Sequence, residues 1–288
     1  MLDRFAIDAL AAKIPECWRP QPYIEREVGS DHFNRWKQLV ASPSYQLWSP
    51  YAATLDWKML YDSYLWRRVI EEHYAISSLP ANVLEICPGR SFTIPVALAS
   101  TKSSPTLVRL DLLPEVAVPP GVLSSVTWLR RDILSMPNDF DASELVVGNH
   151  VLDDLLLSLH SAESRIGRDV FSDSRFTLPE ASQDVWMEIK ESSELKQYID
   201  HLYRMLLHLL QRGTAKSTLI LREYPSTFAL LHRDVAQVNV HRNAFSLIAE
   251  RFRTTANTRV GFPDIATVNV PSGCKFPHSF MVVEVQNT

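Results

Sequence analysis

Four short apolar runs in the middle of this chain each end on polar residues able to do chemistry. Val83-Leu84-Glu85-Ile86 enters the turn Cys87-Pro88-Gly89-Arg90-Ser91, and Thr106–Leu113 carries Asp111 followed by Leu112. Val126–Leu129 leads into Arg130-Arg131-Asp132, and Ser143–Gly148 leads into Asn149-His150. If the runs are parallel strands, these side chains line up at the carboxyl edge of one sheet, where open α/β sheets hold their ligands. A Pro-Gly turn that opens into a helix presents free backbone N–H groups at the same edge. A carboxylate such as Asp111 suits a ribose diol, because it accepts two hydroxyl hydrogen bonds at once. Asp132 beside the aliphatic Ile133 suits an adenine, one accepting from the exocyclic amine and the other packing on the ring. His150, with an ordinary pKa near ~6.5, is the candidate general base; a histidine bonded to a backbone carbonyl is the alternative. Asp153 and Asp154, just beyond it, are placed to cap a helix N-terminus.

The elements that must position these residues follow from the hydrophobic pattern. Residues 1–14 and about 30–41 have helical spacing, with Pro15, Pro20 and Pro22 between them. A longer helix is expected from about Asp56 to Ala75, capped by Thr54 or Asp56. From residue 80 strands alternate with helices: Val83–Ile86, helix Thr93–Ser100, Thr106–Leu113, Val126–Leu129, Ser143–Gly148, then the helical Val151–Leu156. Such alternation argues for a parallel sheet covered on both faces. Residues 161–183 are polar and irregular and are expected to form a long loop. One helix is expected over Asp184–Leu210, closed by Gly213 as a C-cap. A fifth strand follows at Ser217–Arg222 and a helix within 235–253. The chain is expected to end on an antiparallel pair, Ala266–Val270 and Phe280–Val285.

Bulk composition narrows the classes. The chain has 288 residues, 46% of them hydrophobic, with net charge −4, so it can bury a sizeable core. No basic block points to nucleic acid, and no apolar run approaches the ~18 residues of a membrane span. Met1–Phe5 lacks a basic region followed by an apolar stretch, so no secretory signal is expected. Cys17, Cys87 and Cys274 are odd in number and in no metal-ligand spacing; a reduced, cytoplasmic setting without a metal is the expectation.

Aromatic residues are unevenly placed. Of sixteen Trp and Tyr residues, nine lie between Trp36 and Tyr74. They either pack a helical layer onto a neighbouring domain or, for a few such as Trp57 and Tyr61, line a small-molecule pocket, where aromatic faces attract cations. Trp186, after the polar segment, and Arg222, at the end of strand five, are further candidates to meet a substrate. Arg222 would hold a carboxylate or pair structurally with an acid.

In the order Val83–Ser91, Leu110–Leu113, Arg131–Leu134 and Val146–Leu152, the chain resembles the class I S-adenosylmethionine-dependent methyltransferases. The resemblance covers about residues 78–288. It implies a Rossmann-like, seven-stranded, mostly parallel sheet with an antiparallel C-terminal pair, and makes residues 1–77 a variable N-terminal helical cap on the acceptor side. It also implies S-adenosyl-L-methionine as cofactor. Glu85 then orients the glycine loop, Asp111 takes the ribose, Asp132 with Ile133 takes the adenine, and Leu112 also meets the cofactor. Asn149 and His150 face the methionine part and the acceptor. The family's three alternating glycines are replaced here by Cys87, Gly89 and Ser91, so only the middle one is kept. A dinucleotide oxidoreductase would need all three.

Three functions follow as expectations. The first is methyl transfer to a small-molecule acceptor, in specialised metabolism. The second keeps the cofactor but transfers the aminocarboxypropyl group, or cyclises that chain to azetidine-2-carboxylate, with release of methylthioadenosine; the altered loop motivates it. The third is a non-catalytic binding protein. The sequence leaves open whether the chain acts alone or as a homodimer sharing its aromatic cap.

Overall fold

Seven strands of four to eight residues join in one sheet of order β3-β2-β1-β4-β5-β7-β6. The computed structural model describes residues 52–74, 79–89, 91–99, 105–112, 123–136, 142–163, 179–212, 215–223, 235–263 and 279–287, with Asn34, Thr101, Glu115 and Val118 singly. The strands are β1 (Asn82–Ile86), β2 (Thr106–Asp111), β3 (Val126–Arg130), β4 (Leu145–Asn149), β5 (Lys216–Glu223), β6 (Thr258–Gly261) and β7 (Ser279–Gln286). The first five pair in parallel, and β7 runs antiparallel between β5 and β6. This is the mostly parallel sheet with an antiparallel C-terminal pair that the resemblance implies. Chain order reverses between β1 and β4, so the switch point lies at the turn after β1.

The two faces are built from alternate residues of the same strands. Leu84, Ile86, Leu110, Val146, Leu219, Leu221, Met281 and Val283 face one way. They pack against α3 (Leu152–Glu163), α4 (Pro179–Glu191), α5 (Leu195–Gln211) and α6 (Val235–Arg253). Val83, Leu107, Leu145, Val147, Ile220, Phe280 and Val282 face α1 (Ala52–His73) and α2 (Thr93–Ala99). Each such aliphatic side chain contributes roughly 1.5–3 kcal/mol by leaving water. Leu65, Trp66, Val69 and Ile70 of α1 belong to that second core. The expected domain boundary at residue 77 thus falls between two elements that share a hydrophobic cluster. Trp66 sits fully buried, edge-on to Phe280 with ring centroids 5.2 Å apart.

Several expected boundaries move. α1 begins at Ala52, so Thr54 and Asp56 lie inside it and do not cap it. The stretch expected as one helix over Asp184–Leu210 is two, α4 and α5, and α4 starts at Pro179 inside the segment expected to be loop. The break is a serine turn: Ser192 Oγ accepts from Glu194 N–H at 3.0 Å, and Ser192 O accepts from Leu195 N–H at 3.4 Å. Serine offers the backbone an alternative to helical bonding. The partner of β7 is Thr258–Gly261; Ala266–Val270 lies outside the described residues, as do Gly213 and residues 164–178. Among the described residues no helix is long and apolar enough to cross a membrane.

Candidate functional site

The turn after β1 is held in place by the strand beside it. Cys87 N–H donates to Leu110 O at 2.9 Å, and Gly89 N–H donates to Asp111 Oδ2 at 2.8 Å. Both Cys87 (φ +46°) and Gly89 (φ +52°) are left-handed. The loop therefore takes a glycine-like backbone course at position 87 although a side chain is present. A Cβ on Gly89 would meet nothing within 4 Å, so space above the loop is open. Ser91 closes the turn from the far side: its N–H donates to Pro88 O, and its Oγ accepts from Thr93 N–H at 3.2 Å, capping α2.

Glu85 lies beneath this turn, not in it. It is 1% exposed, and Arg109, opposite it in the β1–β2 register, donates from Nε to Glu85 Oε2 at 2.7 Å. Arg109 also donates from Nη2 to Ser91 O. Among the described residues, Glu85 reaches the loop through Arg109. Burial pushes the Glu85 carboxyl upward in pKa, and the Arg109 guanidinium opposes that shift.

Above the turn a small cleft of about 80 Å³, open to solvent, is lined by Cys87, Gly89, Asp111, Leu112, Asp132 and Ile133. Arg131, Leu134, Asp154, Leu155 and Ser158 complete its walls. Six of the nine residues expected to bind a cofactor meet here; Glu85, Ser91 and Asn149 do not line it. Leu112, 53% exposed, offers an unsatisfied apolar face. Asp132 accepts from Leu134 N–H at 3.0 Å through Oδ1, which caps the short 3-10 turn Ile133–Ser135. An ionised carboxylate has about four acceptor positions, and the backbone bonds from Gly89 to Asp111 and from Leu134 to Asp132 each use one of them. Burial, reinforced by Asp111, Asp154, Asp132 and Asp153, raises the Cys87 thiol well above its usual pKa. It is a neutral wall of the cleft. Burial and the neighbouring Asp153 likewise raise Asp154.

Beside the cleft, His150 stands at the end of β4 with φ +59° and its N–H bonded to Arg222 O at 2.8 Å. Its Nε2 lies 3.0 Å from Asp153 Oδ2 and its Nδ1 lies 3.6 Å from Glu223 Oε2. Burial alone would raise the Asp153 carboxyl, but the His150 ring, with His241 near it, holds it down at about 2. Glu223 Oε1 accepts from Val151 and Leu152 N–H at 3.2 Å each, so the start of α3 is capped from β5. Asp153 adds a bond from its neighbour's backbone.

Asn149 turns to the opposite face of the sheet, where its Oδ1 accepts from Trp66 Nε1–H at 2.8 Å. Arg222, its register partner, is fully buried on the same face and donates from Nη2 to Asp62 Oδ1 at 2.8 Å. The structure thus gives Arg222 the structural pairing and keeps it out of the cleft lining. Trp186 is 2% exposed and meets His241 edge-on at 5.1 Å inside the helical core. Trp57 and Tyr61 fall on α1, their side chains outside the described residues. Arg109, Asp154, Glu223 and His241 were not singled out for this site from sequence. A charge midway along the apolar run Leu107–Leu110, facing Glu85 in register, was the signal available for Arg109.

No family model and no curated protein sequence matches the chain. Among solved structures, the plantazolicin methyltransferase BpumL in complex with SAH is similar over 92% of this chain and 100% of its own, at 8% identity and TM-score 0.47. The plantazolicin methyltransferase BamL, with a triazolic desmethylPZN analog and SAH, covers the same shares at 8% identity and TM-score 0.46. An O-methyltransferase family protein from Burkholderia thailandensis matches 89% of this chain and 69% of its own, at 13% identity and TM-score 0.43. At these identities and scores the likenesses bear on no residue of the site.

Proposed function

We propose that this chain is a transferase that binds S-adenosyl-L-methionine in the cleft above the β1 turn and directs its methyl group to a small-molecule acceptor. The observation that supports it is the convergence of Asp111, Leu112, Asp132 and Ile133 with Gly89 at the switch point of a seven-stranded sheet. The residues fit the group. Asp111 and Asp132 offer acceptors for a ribose diol and an adenine amine, Leu112 and Ile133 offer apolar faces, and Gly89 leaves room for close approach. Two carboxyl groups, Asp111 and Asp132, suit a ligand carrying positive charge.

When bound, the cofactor supplies an electrophilic methyl group on a sulfonium, and the protein's task is chiefly to orient a nucleophile. Asp111 holds the Gly89 turn and the ligand side of the cleft at once. Leu155 and Ile133 exclude water from one wall. His150, steadied by Asp153, stands beside the cleft and would take a proton from a protonated acceptor only in a state that frees one of its ring nitrogens.

The test is calorimetric titration with S-adenosylmethionine, followed by mass spectrometry of the adenosine product formed with candidate acceptors. Saturable binding and S-adenosylhomocysteine support methyl transfer. Methylthioadenosine as product favours aminocarboxypropyl chemistry or cyclisation. Binding without turnover favours a non-catalytic role, and no binding sinks the reading altogether.

A further inference from the structure

One half-buried and two buried side chains from three separate elements converge behind the carboxyl edge of β4 and β5. His150 follows β4, Glu223 ends β5 and His241 lies on α6; one nitrogen or oxygen donor from each lies within 4.8 Å of the others. Glu223 is 5% exposed and His241 4%. The Glu223 carboxylate is fixed by the two backbone N–H groups of Val151 and Leu152 on Oε1, while its buried Oε2 has no hydrogen-bond partner among the described residues. That oxygen faces His150 Nδ1 across 3.6 Å.

The far side of the His150 ring sets its tautomer. Nε2 lies 3.0 Å from Asp153 Oδ2, an ion-pair contact whose negative charge favours the hydrogen on Nε2. In its neutral form the ring turns a lone pair on Nδ1 towards the lone pairs of Glu223 Oε2, 3.6 Å away. Two lone-pair donors at this spacing, with a second imidazole beside them, call for a positive centre between them. Tetrahedral ligands at about 2.0–2.2 Å from a zinc-like ion stand roughly 3.3–3.6 Å from one another. The 3.6 Å between His150 Nδ1 and Glu223 Oε2 matches that spacing, and His241, whose donor lies within 4.8 Å of the others, closes in to complete it. A carboxylate on the outer nitrogen, Asp153 here, is the usual support for a metal-bound imidazole.

We propose that His150, Glu223 and His241 bind one divalent transition-metal ion, with Asp153 orienting the His150 ring. Two imidazoles and one carboxylate select zinc, cobalt(II), nickel or iron(II) over the harder magnesium and calcium. Three protein ligands leave a further coordination position open to water or to a ligand heteroatom. Metal binding here is independent of cofactor binding in the cleft, so the two titrations fail separately.

The test uses the full chain, freed of any affinity tag and treated with a chelator, then titrated with Zn²⁺ by calorimetry and with Co²⁺ by visible absorption. One ion per chain and cobalt bands of a low-coordinate site are expected, with shifts of the His150 and His241 ring nitrogens on adding Zn²⁺. D153N should weaken binding roughly 10- to 100-fold, and H241N should weaken it further, both with unchanged circular dichroism. Should H241N not fold, the ring-nitrogen shifts in the unaltered protein decide. No stoichiometric ion, or an ion bound without those shifts, overturns the proposal and leaves a protonated His150 bridging two carboxylates. Equal affinity in a folded H241N variant places the ion elsewhere and overturns it too.

Discussion

Asp111 Oδ2 accepts a hydrogen bond from the backbone N–H of Gly89 at 2.8 Å, linking the end of β2 to the turn after β1. The acid assigned to ribose and the loop assigned to close approach are therefore one mechanical unit. Loss of the carboxylate disturbs both.

Asp111→Ala is accordingly expected to weaken S-adenosylmethionine binding by ~1–3 kcal/mol, the usual cost of losing hydrogen bonds to a charged group. Calorimetry of the folded variant measures it. Unchanged affinity would show that the cofactor does not use this wall of the cleft.

Cys87 adopts a left-handed backbone that glycine takes without strain. Cys87→Gly should therefore fold normally, with stability within ~1 kcal/mol of the parent, because relief of strain offsets the added freedom of the unfolded chain. Cys87→Val, β-branched at the same φ, should lose ~1–3 kcal/mol. Urea unfolding compares the two; equal stabilities would mean the loop readily abandons this conformation.

Asp62 on α1 pairs with the fully buried Arg222 of β5. Removing one partner of a buried pair leaves a charge in a poor environment. Asp62→Ala should destabilise by ~3–5 kcal/mol in chemical denaturation. A loss below about 1 kcal/mol would indicate that α1 contributes little to holding this side of the sheet.

His73 closes α1 with Nε2 3.6 Å from Glu284 Oε1. Burial lowers its pKa below the ordinary 6.5; Glu284 opposes this, while Lys216 and Arg259 add to it. Below pH 6.5 the unfolded chain thus binds the proton more readily than the folded one. The stability held above that pH is lost as the pH falls. The stability difference between the parent and His73→Gln should shrink between pH 7.5 and pH 5, as read from unfolding midpoints. Parallel curves would remove His73 from the pH response.

The strands that carry the cleft were legible because a buried parallel strand needs a continuous apolar run, and a polar residue at its end marks where it meets water. Asp111, Asp132 and the turn at Gly89 could be read in that way. Edge and junction features were not. Thr258–Gly261 carries Arg259 and is only half-buried, so it becomes a strand through the backbone bonds offered by β7, which no local pattern announces. The break at Ser192–Glu194 is likewise small beside the apolar periodicity on either side of it.

By itself the sequence determined the order of the elements, the apolar faces that build the sheet, and the acids that stand at its carboxyl edge. These depend on local periodicity and on the cost of burying polar groups. Only the tertiary structure decided which polar residues share a site. Asn149 and His150 are neighbours in the chain, yet Asn149 turns to Trp66 on one face while His150 meets Asp153, Glu223 and His241 on the other. Strand register pairs Glu85 with Arg109, and Asn149 with Arg222. Helix packing brings position 241 to position 150. Such meetings are fixed by the folding of distant segments onto common faces, a relation that spacing along the chain does not encode.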